Sequence, residues 1–233
     1  MKLLYARYAL VILIGIGILA SVNLIGSQNT FKTILLNLSF LGLNLLIIWY
    51  FKIKKNHLLL FVKNYKHIVT GIIAGLCIHI PNLIIYNKTI DISLLCSATF
   101  LMSTFLIVLW EELWFRNAIL IILNKRYALF SLFSASLFTT IHLLNPEFNS
   151  FSQFLDVFLG GYLLTISFLT TKSFLFPFFL HYSNNLIENL YKPEFSNISE
   201  IYSQSKILVS LILITFFILK LRKHEVSNNI YNK

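Results

Sequence analysis

The sequence is short of charge. Only 12% of its 233 residues are Asp, Glu, Lys or Arg, against 57% hydrophobic residues, whereas soluble domains carry about 25% charged residues. So few charges cannot cover the surface of a water-soluble globule of this size. Intrinsic disorder is excluded on the same ground, because it requires low hydrophobicity and high charge. Cysteine is nearly absent. Cys77 and Cys96 lie in apolar stretches with no metal-type spacing, which rules out a disulfide framework and reads as two small buried hydrophobes. No His-Glu-x-x-His metal motif occurs, no serine sits in a credible triad context, and there is no internal repeat or low-complexity tract. Acidic residues are few, nine against nineteen Lys and Arg, leaving a formal net charge of +10.

What the sequence does have is long apolar runs. They predict an all-α, polytopic membrane helix bundle with about eight transmembrane helices, at roughly 8–26, 34–51, 68–86, 92–123, 128–144, 151–170, 173–190 and 207–221. The whole chain, 1–233, reads as a single integral-membrane domain. The fourth run is too long for an upright span and must tilt, kink or project. The first, preceded by Lys2 and Arg7, lacks a clean cleavage site and reads as a retained anchor rather than a signal peptide. The stretch from Lys52 to His67 mixes basic and apolar residues and is either a surface amphipathic helix or a loop.

The basic residues follow this topology. With both termini cytoplasmic, fourteen Lys and Arg fall on the inner side and four (Lys32, Lys88, Lys192 and Lys206) on the outer side, with Arg116 inside a span. This asymmetry is the positive-inside pattern. It assigns the basic balance to orientation and to anionic inner-leaflet lipid, not to nucleic acid. The expected location is the cell membrane, multi-pass, with the bilayer as one partner.

Ionisable side chains within spans cost about 2.5–3.5 kcal/mol each on insertion scales and so point to function. The fourth span carries Glu111, Glu112 and Arg116, and the fifth His142. The seventh carries His181, Asn184, Asn185 and Glu188. His79 and Asp156 lie in the third and sixth. Adjacent carboxylates on a helix diverge by about 100°. Glu112 and Arg116, four apart, can pair and leave Glu111 for other work. His181 and Asn185 share a face one turn apart. Measured from the expected cytoplasmic span ends at ~1.5 Å per residue, Glu111 and Asn185 lie ~18 Å deep, His142 ~21 Å and His181 ~12 Å. Three spans thus bring polar groups to similar depth, which is economically explained by one water-reachable pocket. Each feature also has a plainer explanation: a buried ion pair fixing helix packing, a satisfied histidine, a polar helix–helix seam.

A carboxylate beside an imidazole can hold and deprotonate water, and a second imidazole with a carboxamide can donate to an oxyanion. Amide hydrolysis then needs no covalent nucleophile. A metal site from His142, His181 and Glu111, holding a divalent ion such as zinc, is a chemical alternative. No cofactor is the main expectation.

The order Glu-Glu-x-x-x-Arg (Glu111, Glu112, Arg116), Phe-x-x-x-His (Phe138, His142) and His-x-x-x-Asn (His181, Asn185) in successive membrane helices resembles the CPBP family. This family includes CAAX prenyl endopeptidases, bacteriocin-processing and bacteriocin-immunity proteins, and proteins labelled Abi. The resemblance spans roughly 92–190, the expected catalytic core. It implies an eight-helix intramembrane endopeptidase with a cytoplasm-facing cavity. Glu111 would be general base, His142 its water-positioning partner, and His181 and Asn185 oxyanion stabilisers. Glu112 and Arg116 would be supporting, with no firmly bound metal. The implied substrate is a membrane-associated peptide or protein, in bacteriocin or pheromone processing or in immunity. Two other readings stand beside this one: a non-catalytic membrane immunity or scaffold protein, and a transporter or proton pathway, the latter disfavoured by the lack of inverted repeats.

Overall fold

The structure, a computed structural model, describes residues 37–39, 41–42, 65–86, 92–118, 127–143, 150–190 and 196–231. The expected spans 8–26 and most of 34–51, most of the Lys52–His67 stretch and the loop Asn145-Pro146-Glu147 lie outside them. Among the described residues every regular element is helical and none is a strand. They are α1 (Lys66–Tyr86), a 3₁₀ turn (Ile92–Cys96), α2 (Ala98–Glu112) running into a π turn (Leu113–Ala118), α3 (Tyr127–His142), α4 (Phe151–Thr171), α5 (Leu175–Leu190) and α6 (Ser196–Tyr231).

Among the described residues three helical stretches are long and apolar enough to cross a membrane: Ala98–Arg116, Phe151–Thr171 and Ser203–Lys223. The all-helical membrane character of the sequence reading therefore holds for the described residues. The third stretch buries the least of itself, 22%. It turns Leu208, Ile212, Phe216 and Leu219 outward, as a helix in contact with lipid does, since lipid tails exert no hydrophobic penalty on them.

Local chemistry explains the boundaries. The long fourth run is not one helix. Ser97 interrupts it, its Oγ accepting from Phe100 N at 3.3 Å to cap α2, because the first turn of a helix leaves N–H groups that need an acceptor. Further on the run widens into the π turn after Glu112. α4 opens with a capping box, Ser150 Oγ accepting from Gln153 N and Gln153 Oε1 from Ser150 N, each at 3.2 Å. It ends where Lys172 takes a left-handed conformation, φ 50°. The last run, expected over 207–221, lies within the longer α6, Ser196–Tyr231.

α1 lies closely along α5. A Cβ on Gly71 would stand 2.6 Å from Phe176 O, and one on Gly75 would meet Ser183 Oγ and stand 2.5 Å from Leu180 O. These two glycines, four apart, let the backbones approach as small-x-x-x-small pairs do between membrane helices. α3 and α6 pack on α4, and α5 touches α1, α2 and α4. This arrangement places the end of α2, the end of α3 and the middle of α5 around one apolar core that includes Trp114, Phe115, Phe138, Ile141 and Phe178.

One charge stands elsewhere than the topology expected. Lys206, counted among the outer loop charges, is buried on α6. Its Nζ is 2.7 Å from Asp156 Oδ2 on α4 and 3.2 Å from Glu188 Oε1 on α5. Hydropathy alone put it in a loop. Two carboxylates hold it inside the bundle, because a buried ammonium requires paired acceptors.

Candidate active site

The site is built where α2 widens. Glu111 and Glu112 end its α-helical part, and both are buried. π turns are found mostly at functional positions, and here the turn carries Arg116 and the carbonyl of Phe115. That carbonyl accepts from Ser134 Oγ of α3 at 3.0 Å, and Ser134 Oγ accepts from Thr165 Oγ1 of α4 at 3.3 Å. The turn is thus tied to two neighbouring helices by hydroxyl groups.

Arg116 has no solvent exposure. Its Nε is 3.2 Å from Glu112 Oε2, the pair expected from their spacing. Its Nη2 donates to Gly161 O at 3.4 Å. Its guanidinium carbon lies 5.3 Å from the Phe138 ring centroid and 5.6 Å from that of Phe115, within the range of cation–π attraction.

The two glutamates meet on His181 of α5. Its Nδ1 is 2.9 Å from Glu112 Oε1, and its Nε2 is 3.5 Å from Glu111 Oε2. A carboxylate paired to a guanidinium can only accept, so Nδ1 carries a proton. Glu111 Oε2 is buried, and among the described residues no hydrogen-bond donor satisfies it.

His142 ends α3. Its Nδ1 is 2.8 Å from Phe138 O, so Nδ1 donates and the neutral ring keeps Nε2 as an acceptor. The Phe138 ring joins the two histidines, 4.3 Å from the centroid of His142 and 5.7 Å, edge-on, from that of His181. Phe138 in turn rests against Gly161, where a Cβ would come within 3.1 Å of its ring.

Asn185 lies one turn beyond His181. Its Oδ1 accepts from Asn184 Nδ2 at 3.3 Å. The structure thus brings Glu111, Glu112, Arg116 and His181 into direct contact and links His142 to them through Phe138. Asn185 reaches a second polar group, formed by Asn184, His79, Glu188, Lys206 and Asp156. The sequence places the Phe138 ring on one helical face with the His142 imidazole, but it did not point to Gly161 or Ser134. Two adjacent glycines in the middle of a membrane helix, Gly160-Gly161, were the available signal for a close approach.

Both ring nitrogens of His181 already face carboxylate oxygens, and no group of three or more His, Cys, Asp or Glu among the described residues is arranged to hold an ion.

Residues 92–187 match the family model described as Type II CAAX prenyl endopeptidase Rce1-like. This match agrees with the resemblance carried by the three motifs. The match indicates a CAAX-protease-like hydrolase of the membrane. No curated protein and no solved structure matches the chain significantly.

Proposed function

We propose that the protein is an intramembrane endopeptidase that hydrolyses a peptide bond of a membrane-associated peptide or protein with a water activated by Glu111. The observation that carries this reading is the convergence of Glu111 and Glu112 on His181, with Glu111 Oε2 buried and short of a donor. Such an oxygen is suited to accept a hydrogen bond from water.

In this reading water lies between Glu111 and the acceptor nitrogen Nε2 of His142. Glu111 removes its proton as the hydroxide adds to the scissile carbonyl. The oxyanion receives hydrogen bonds from His181 Nε2–H and from the carboxamide of Asn185. The proton held by Glu111 then passes to the leaving amine. Glu112 orients His181 through Nδ1, and Arg116 holds Glu112 in place. No step requires a metal or other cofactor.

The same reading takes the chain as a multi-pass protein of the cell membrane, with about eight spans and both termini cytoplasmic, supported by the skewed distribution of Lys and Arg. Its substrates are peptide precursors or membrane proteins, as in bacteriocin or pheromone processing or in immunity. Mass spectrometry of secreted and membrane peptides from cells carrying wild-type protein, no protein or Glu111→Ala tests it. A peptide cut only with the wild type is expected. Identical peptides in all three, with any cellular phenotype retained by Glu111→Ala, would leave the non-catalytic immunity or scaffold role.

A further inference from the structure

Asn185 can turn either end of its carboxamide toward the reaction. Only the NH₂ end can donate to an oxyanion; the oxygen end repels it. The contacts of the preceding residue decide between them.

Asn184 makes three side-chain contacts. Its Oδ1 is 3.1 Å from His79 Nε2 on α1. Its Nδ2 is 3.4 Å from Glu188 Oε2 and 3.3 Å from Asn185 Oδ1. Glu188 in turn receives a hydrogen bond from Lys206 Nζ at 3.2 Å, so its carboxylate stays an acceptor. An acceptor must face the NH₂ end of Asn184, which leaves Oδ1 for His79, and Nε2 of that fully buried ring must donate. The orientation of Asn184 is therefore determined from both sides. Its Nδ2 then holds Asn185 Oδ1 and leaves the NH₂ group of Asn185 available to donate.

We propose that Asn184, locked between His79 and Glu188, is a positioning residue that fixes the carboxamide of Asn185 with its NH₂ end available to the oxyanion. This inference rests on the role given to Asn185 above. It assigns a function to His79, a buried histidine of a helix outside the matched region, and to the α1–α5 contact that carries it.

The test uses full-length protein in detergent micelles. Its substrate is the peptide whose cleavage disappears in Glu111→Ala cells, synthesised with a fluorophore and quencher about its cut. Asn184→Leu and His79→Leu are expected to lower kcat about tenfold, a fraction of the ~10²–10³ lost with an oxyanion donor, and to change KM less than about twofold. His79→Gln, whose side-chain NH₂ can still donate to Asn184, is expected to retain kcat within about twofold. In an Asn185→Ala background the Asn184→Leu and His79→Leu effects should disappear. Equal losses with His79→Gln and His79→Leu, or undiminished losses in the Asn185→Ala background, would reduce Asn184 to packing and overturn the proposal. Wild-type turnover by Asn185→Ala would instead overturn the catalytic role of Asn185 itself, a separate result. Where Asn184→Leu does not fold, by thermal unfolding in the same micelles, the His79 pair carries the test.

Discussion

His181 stands between two consecutive carboxylates, with Nδ1 2.9 Å from Glu112 and Nε2 3.5 Å from Glu111. Adjacent residues on a helix diverge, so one partner can touch both only by lying across the cleft between them with a different atom toward each. An imidazole, with two nitrogens on opposite sides of one ring, meets that requirement. The two glutamates are thereby made unequal, since Glu112 also holds Arg116 and Glu111 does not.

That inequality predicts different losses. Glu111→Gln should abolish peptide cleavage, by at least the ~10²–10⁴ of a general base, with little change in thermal unfolding in detergent. Glu112→Gln or Arg116→Met should each destabilise the fold by ~3–5 kcal/mol, the cost of stranding one partner of a buried pair. Unfolding curves and cleavage rates on the same preparations separate the two effects.

The neighbouring glycines of α4 give a sharp contrast. A Cβ on Gly160 meets nothing within 4 Å, whereas one on Gly161 approaches the Phe138 ring to 3.1 Å and Ala135 Cα to 3.4 Å. Gly160→Ala should be neutral or stabilise by up to ~1 kcal/mol through helix propensity. Gly161→Ala should displace the ring that joins the two histidines and lower cleavage several-fold. Parallel rate and stability measurements check both.

Lys206 compensates Asp156, whose side chain is 11% exposed, and Glu188, whose side chain is 46% exposed. Its removal strands chiefly Asp156, because Glu188 can turn to water. Lys206→Met is expected to cost ~3 kcal/mol. Lys206→Met with Asp156→Asn should recover part of that, as read by thermal unfolding of the single and double variants.

Removal of divalent ions is expected to leave turnover within about twofold of its starting value, since catalysis is assigned to a carboxylate and two imidazoles. Metal analysis of the dialysed protein beside the activity assay is the measurement. Activity lost with a stoichiometric ion and restored by that ion would refute the assignment.

Much of the helical layout was legible because hydropathy follows burial in protein or lipid. The expected 68–86, 128–144, 151–170 and 173–190 correspond to α1, α3, α4 and α5 within two residues at each end. The positions of the break at Ser97 and of the π turn after Glu112 were not legible: a side-chain cap marks the first, and the second lies where Ser134 of another helix donates to Phe115 O. The Glu112–Arg116 pair was legible because both residues lie on one helix at a fixed spacing. Lys206 was misplaced because hydropathy counts a charge as outside, and its two acceptors come from α4 and α5.

The sequence by itself determined that this is a helical membrane protein, through the scarcity of charge and the length of its apolar runs. It also determined which few polar side chains have to be accounted for, through their cost in lipid. Only the tertiary structure decided their partners. His181 could have faced either glutamate or neither, and Asn184 could have been one more polar residue on a seam. Periodicity fixes the direction of a side chain about its own helix axis, whereas a contact between helices depends on how two axes approach. At α1 and α5 that approach is set by the absence of a Cβ at Gly71 and Gly75, which brings His79 to Asn184.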